Sequence, residues 1–229
     1  MAMKLSAILG VARCFLTFAM IVCGSTVAGA QQFSAEFTET DASQATTSAP
    51  TSSGKIYISN GKVRIEASRF PGDYFLVDGE KGTAYLVKPS SRIFMEARQS
   101  TPLTRLLVGV EPDNPCSKWQ RMAIAAGATE QGDHWHCERI GDERIGIRSA
   151  VGYRAQSSGQ DLVGWIDAGL RFPLKIQAEK LATFVLSNVQ EGSQPEDLFE
   201  IPANYRKFDP RDLIERIKHS DVWVEAPKP

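Results

Sequence analysis

Apolar and polar residues alternate with a period of two over much of this chain, the pattern of strands whose side chains point to opposite faces. Gln32 to Glu39 predicts a first strand, with Phe33, Ala35 and Phe37 sharing one face. Gly54–Ile58 and Val63–Glu66 flank Ser59-Asn60-Gly61-Lys62. Asn-Gly between two alternating runs is the strongest short-range hairpin signal, because a two-residue primed turn needs positive φ at both central positions. Asp73–Val77, Thr83–Val87 and Arg92–Glu96 extend this into a meander, turning at Gly79–Gly82 and Pro89–Ser91. Asp41 to Ser53 is rich in Ala, Ser, Thr and Gln and reads as a flexible loop. Strands resume over His134–Ile140, turn at Gly141–Glu143 and return through Ile145 towards Tyr153. Leu162–Asp167 follows a turn at Ser157–Gln160, Phe172–Glu179 follows one at Ala168–Arg171, and Leu181–Val189 is a further strand.

Helical spacing interrupts the alternation in three places. Leu103, Leu106, Leu107 and Val110 form a stripe after Thr101 as N-cap and Pro102 at the first helical position, with Gly109 at the end. Ser117 to Ala126 carries Trp119, Met122, Ala123 and Ala126 on one side and stops at Gly127. Asp209-Pro210 caps a helix from Arg211 to about Lys218, whose buried stripe would be Leu213, Ile214 and Ile217. In the tail, Val222 and Val224 could add one edge pairing.

Several strands are apolar on both faces. Tyr74 and Leu76 oppose Phe75 and Val77, and Ala84 and Leu86 oppose Tyr85 and Val87. A sheet wetted on one side would show clean polar alternation there. Both faces must therefore be covered, by helices, by closure into a partial barrel, or by a ligand. The expected fold class is mainly β, a strongly bent antiparallel sheet with a few helices.

The first thirty residues read as a cleavable export signal. Lys4 and Arg13 precede or border the apolar run Cys14–Val22, and Ala28-Gly29-Ala30 supplies the small-residue cleavage pattern ahead of Gln31. The run is shorter than the ~20 residues of a spanning helix. Lipidation at Cys23 is the competing reading, but Val22 is too large for the residue before a lipidated cysteine. Loss of the leader takes Lys4 and Arg13 with it, moving the formal charge from −1 to about −3. No concentrated basic face remains, so nucleic-acid binding is not expected. Removal also leaves Cys116 and Cys137 as the only cysteines, and an even pair in an oxidising compartment reads as one structural disulfide. The expected organisation is a leader at 1–30, a domain at 31–208, and a C-terminal helix and tail at 209–229.

These residues resemble a known family. Ser53-Gly54-Lys55-Ile56-Tyr57 with Lys62-Val63-Arg64-Ile65-Glu66 looks like the paired strands of the bacterial lipoprotein-carrier (LolA/LolB-like) superfamily. So do Tyr85-Leu86-Val87-Lys88-Pro89 and the strand ending Met95-Glu96, while Phe33-Ser34-Ala35-Glu36-Phe37 is similar to its first strand. Trp165-Ile166-Asp167 with Phe172-Pro173-Leu174-Lys175, and Leu198 to Tyr205, look like the closing strands of its exported relatives. The resemblance implies a half-open barrel around an apolar cavity, with helices in the mouth, that holds acyl chains or other hydrophobic ligands. It places Leu103, Leu106, Leu107, Phe75, Leu76, Leu86 and Phe94 as candidates for the cavity lining. Arg64 is the nearest match to an arginine that gates the cavity in the true carrier. The Cys116–Cys137 segment and the C-terminal helix depart from the family pattern.

Catalytic chemistry has little support in the sequence. His134 and His136 share a side of a strand and could form half a metal site, but no third ligand is identifiable. No Gly-x-Ser-x-Gly elbow, phosphate loop or dinucleotide fingerprint occurs. Asp161, Asp167 and Glu179 are scattered as a solvated face would scatter them. Two expectations stand. One is a non-enzymatic, monomeric periplasmic carrier without cofactor or metal, binding an apolar ligand or lipidated protein, with transient contact to membrane or envelope proteins. The other is a structural or interaction protein of the envelope with a filled core.

Overall fold

The computed structural model describes residues 31–40, 52–128, 135–157, 160–178 and 183–211, together with Ile214 and Lys218. The expected leader, the tail from 219 onwards, His134 and most of the expected C-terminal helix lie outside these residues.

The chain builds its sheet in two meanders that grow from opposite sides of one strand. β1 (Gln32–Thr40) is followed outward by β2 (Ser52–Ser59), β3 (Lys62–Ala67), β4 (Tyr74–Asp78), β5 (Thr83–Lys88) and β6 (Ile93–Glu96). Two helices follow, α1 (Leu103–Leu106) and α2 (Pro115–Ala125). The chain then returns inward through β7 (His136–Ile145), β8 (Arg148–Ser157), β9 (Gln160–Asp167), β10 (Phe172–Ala178) and β11 (Thr183–Glu191), which pairs with the free side of β1. A short β12 (Arg206–Lys207) pairs in parallel with β6. Among the described residues this is one open sheet of twelve strands, in the order β12-β6-β5-β4-β3-β2-β1-β11-β10-β9-β8-β7. Since β6 and β7 lie on opposite sides of the sheet, the segment between them has to cross its face. That crossing carries both helices.

Most hairpins form where turn chemistry predicts them. Asn60 and Gly61 both have positive φ, 51° and 78°, as a primed two-residue turn requires. The β7–β8 turn falls elsewhere than predicted. Gly141 does not turn the chain but sits at a register shift in β7, with φ of 129°, and the strand runs on to Ile145. The turn is Gly146-Ile147, with positive φ at the first central position alone, the position a II′ turn reserves for glycine. Gly141 therefore serves a bulge, and Gly146 the hairpin. Pro173 likewise lies at a register shift in β10, where the missing N–H of proline is tolerated.

Four further expectations are corrected. Ser52 and Ser53 belong to β2 and not to the preceding loop, because they pair with Glu39 and Thr38. Helix α1 is a single turn, since Leu107 has already left helical geometry at φ −85°, ψ 72°. Leu198 to Tyr205 is not a strand: a 3-10 turn at Glu196–Phe199 leads into irregular chain, and only Arg206 and Lys207 add to an edge. Ile214 is 51% exposed, so the stripe expected to bury it does not do so there.

The main core lies on the helix side of the sheet. Phe33, Phe37, Ile56, Ile65 and Phe75 from one meander meet Phe172, Leu174 and Ile176 from the other, and both meet Leu103, Leu107 and Trp119 from the crossing. For strands at such distance in the sheet to share one core, the sheet must curve around the helices. A second, small core of Tyr74, Leu76 and Val87 lies on the opposite face of β4 and β5, covered by Phe94, Ile201 and Tyr205. The two-faced apolar pattern of these strands is thus accounted for by two separate covers.

Candidate functional site

The helical crossing is the feature that a ligand entering the curved face would have to move. Its two parts are held very differently. α2 bridges the two meanders. At one side, Trp119 lies over Gly164 of β9, where a built Cβ would come within 2.4 Å of the indole ring. The indole Nε1 donates to the Leu106 carbonyl, 3.1 Å away. At the other side, Lys118 Nζ reaches the Glu80 carboxylate at 2.6 Å, beside the β4–β5 turn. The last carbonyls of α2 accept hydrogen bonds from Arg98 and Gln99, at 2.9 and 2.6 Å, which satisfies groups a helix end leaves free. A disulfide from Cys116 to Cys137 then ties the start of α2 to β7, with the Cα atoms 5.9 Å apart. The predicted pairing is therefore formed.

α1 has lighter anchorage. The Thr104 hydroxyl donates to the Thr101 carbonyl at 2.8 Å, and beyond the helix the Val110 N–H donates to the Arg171 carbonyl at 2.9 Å. The N-cap position falls on Pro102 and not on Thr101 as expected; Thr101 Oγ1 accepts only a long contact, 3.4 Å, from the Leu103 N–H. Arg105, also on α1, is half-buried, and burial lowers its pKa because the charged form loses hydration.

The residues named as cavity lining divide between the two faces. Leu103, Leu106, Leu107 and Phe75 are buried in the main core, with Leu86 packed against it. Leu76 and Phe94 lie on the opposite face in the small core. The reason is strand parity: Phe75 pairs with Leu86, while Val87, one residue on, pairs with Tyr74 and Phe94. Arg64 also points to that opposite face, because its neighbours Val63 and Ile65 point into the main core. There its guanidinium stacks 3.5 Å over the Tyr74 ring and donates to Glu66 and to the Leu198 carbonyl. Arg64 fastens the C-terminal segment and does not face the curved interior. Burial raises the pKa of the Tyr74 phenol, and the Arg64 charge partly offsets this.

Two grooves open on the outer face. One of about 450 Å³ runs between Leu76, Tyr85 and the Phe199–Ile201 segment. Another of about 460 Å³ is bordered by Lys55, Arg64, Glu66, Asp73 and Tyr74. A third, smaller cleft of about 300 Å³ lies by the start of α1 and is lined by Glu39, Arg69, Phe70, Ser100, Thr101, Pro102 and Phe184. Sequence reasoning passed over Glu39, although it continues the inward parity of Phe33, Ala35 and Phe37. A carboxylate at the end of a core-facing series was the signal.

His136 is exposed at the start of β7. Among the described residues no group of three or more His, Cys, Asp or Glu side chains is placed to hold a metal ion. Asp161 and Asp167 do not converge: Asp167 is buried, accepts from the Gly169 and Leu170 N–H groups and pairs with Arg148 at 3.0 Å. It organises the β9–β10 turn. Glu179 lies outside the described residues.

No protein-family model matches this chain. No curated protein matches it. Solved structures are similar in outline. MucB aligns over 76% of this chain at 13% identity and a TM-score of 0.44, and the chain spans 58% of the MucB length. An uncharacterised conserved protein from Thermus thermophilus aligns over 79% of this chain and 91% of its own, at 9% identity and a TM-score of 0.45. The LolA superfamily protein NE2245 from Nitrosomonas europaea aligns over 74% of this chain and 90% of its own, at 13% identity and a TM-score of 0.37. The open, curved sheet with helices crossing one face rests on this chain's own strand order and core.

Proposed function

We propose that this chain is a non-enzymatic binding or carrier protein of the periplasm that takes an acyl chain or similar apolar group on the helix-covered face of its sheet. The observation that carries this reading is the unequal fastening of the crossing. α2 is tied to β7 by a disulfide and to the β4–β5 turn by an ion pair, whereas α1 is one turn held by its buried leucines and by hydrogen bonds, among them the one from the Trp119 indole to Leu106. Displacing α1 would expose Leu103, Leu106 and Leu107 and the core side chains beneath them, while α2 kept the two meanders together. An apolar ligand would recover the lost burial, at roughly 25 cal/mol per Å² of apolar surface. Export and the disulfide fit the same oxidising compartment. The chain would act as a monomer, engaging a hydrophobic ligand or lipidated protein without cofactor.

A second reading has a specific observation in its favour. Leu103, Leu107 and Trp119 are almost wholly removed from solvent, as in a filled core. The chain would then be an interaction protein of the envelope working through its surface. Native mass spectrometry of protein purified without detergent, combined with saturable binding of an apolar fluorophore, separates the two. The carrier reading expects a co-purifying lipid mass and a fluorophore displaced by fatty acid. It also expects Leu107→Ala to enlarge the site, at the lower end of the roughly 2–5 kcal/mol that such truncations cost. A clean apo mass, no saturable binding and the full packing penalty would establish the filled core.

A further inference from the structure

Gln31, the residue before β1, is held by a cradle fitted to its side-chain amide. Its Nε2 donates to the Leu170 carbonyl and, at 3.0 Å, to the Arg171 carbonyl, both in the β9–β10 turn. Two acceptors match the two N–H bonds of a primary amide. Against the same amide lies Gly109, where a built Cβ would come within 2.7 Å of Gln31 Oε1. Gly109 has no positive φ, so its backbone does not call for glycine. What its missing side chain provides is room for the amide. The Arg171 carbonyl also accepts from the Val110 N–H at 2.9 Å, and the Gln31 carbonyl accepts from the Asn60 N–H at 3.1 Å. One glutamine thus joins the β2–β3 turn, the chain leaving α1 and the β9–β10 turn.

Removal of the leader before Gln31, as the Ala28-Gly29-Ala30 pattern predicts, turns the Gln31 backbone nitrogen into a free amine. We infer that Gln31 is then a modification site, a glutamine that closes into an N-terminal lactam, and that the cradle of Gly109, Leu170 and Arg171 controls this reaction. The α-amine attacks Cδ. The Nα–Cδ bond forms, the Cδ–Nε2 bond breaks, and Nε2 leaves as ammonia with one proton taken from the amine. No oxidant or other co-reactant is consumed. In the folded protein Nε2 is engaged on two carbonyls and must leave them before it is expelled. The rate therefore follows the fraction of molecules in which the cradle is open. Once formed, the lactam has no primary amide and cannot restore the pair of hydrogen bonds. Cyclisation would record each opening of the cradle and remove one tie on the crossing beyond α1. No ligand takes part, so the carrier function and this site can fail separately.

The exported protein, incubated with glutaminyl cyclase at neutral pH beside a synthetic peptide of residues 31–40, provides the test, with loss of one ammonia followed by intact mass. Two hydrogen bonds oppose opening, so the native protein should cyclise at least tenfold more slowly than the peptide, as an order of magnitude. Gly109→Ala sets a methyl group against Gln31 Oε1 and should bring the rate most of the way to that of the peptide, in a protein whose fold is checked by circular dichroism. A measurement independent of that variant is amide exchange at Val110, which shares the Arg171 carbonyl. It should quicken in wild-type protein that has been cyclised while unfolded and then refolded. A mature chain beginning elsewhere than Gln31 would overturn the inference at once. Equal rates for protein and peptide would mean that the cradle does not hold the amide. A folded Gly109→Ala as slow as the wild type, or Val110 exchange unchanged by cyclisation, would show that the cradle controls neither the reaction nor the crossing.

Discussion

The two faces of β4 and β5 are equally apolar in sequence but are covered in unlike ways. On the inner face the cover is an obligatory part of the topology. The chain has to cross from β6 to β7, and its helices bring Leu103, Leu107 and Trp119 into a core shared by both meanders. On the outer face the cover is the irregular chain after β11, where Ile201 and Tyr205 lie over Tyr74, Leu76 and Val87. It is held by the Arg64 hydrogen bond to the Leu198 carbonyl and by the pairing of β12 with β6. One cover joins the halves of the molecule, while the other seals a patch on one half. Similar hydrophobic patterns can therefore have very different structural consequences.

The sharpest way to break this comparison is to truncate one residue in each cover. Trp119→Ala removes an almost fully buried ring and leaves the Leu106 carbonyl without its indole donor. A loss of about 3–5 kcal/mol is expected, typical of buried aromatics. It should appear in chemical denaturation as one cooperative transition moved to lower denaturant, because both meanders depend on the ring. A shift under about 1 kcal/mol, the size of a surface effect, would mean that the crossing is not the common core.

Arg64→Ala tests the outer cover. It removes the stack on Tyr74 and the hydrogen bond to Leu198, for an expected cost of about 1–2 kcal/mol. The loss should be local. Limited proteolysis ought to cut faster within 195–208 with little change in the main unfolding midpoint, and an unaltered cleavage rate would show that Arg64 does not fasten the segment.

The smallest effect concerns pH. Hydrogen bonds from Lys207 and then Arg98 lower the pKa of Glu96, which sits beside the β6–β12 pair. A group whose folded pKa is depressed contributes stability that is present above its unfolded pKa and lost as pH falls through the folded one. Attachment of β12 should accordingly weaken in acid, below the range in which a free glutamate protonates. Because the pair is well exposed, the change should be slight. Amide exchange at Arg206 and Phe208, whose N–H groups pair with β6 and its preceding residue, would report it. Protection, corrected for the intrinsic pH dependence of exchange, that is flat with pH or identical in Glu96→Gln would show that this charge pair contributes nothing.

Much of the architecture was legible in short-range patterns. The Asn60-Gly61 turn, the strands around it, the inward parity of Phe33, Ala35 and Phe37, and the Trp119 and Met122 side of α2 all follow from local rules of period and turn chemistry. So does the Cys116–Cys137 pair, because only two of the four cysteines lie beyond the first thirty residues. What the sequence could not decide is which face of a two-faced strand meets which cover. Leu76 and Phe94 read as well as Phe75 and Leu86 for an inner cavity, and Arg64 read as a gate. Parity says only that adjacent residues oppose each other. The side on which the helices lie depends on contacts between residues far apart in the chain, which local alternation does not encode. The same holds for Gly141 and Gly146, two glycines close in sequence, of which one serves a bulge and the other a turn. The choice is made by the register against β8, a long-range property of the sheet. Glu39 completes the pattern: its inward direction is written in the alternation of β1, but only the folded molecule places Arg69 against one oxygen and buries the other without a partner.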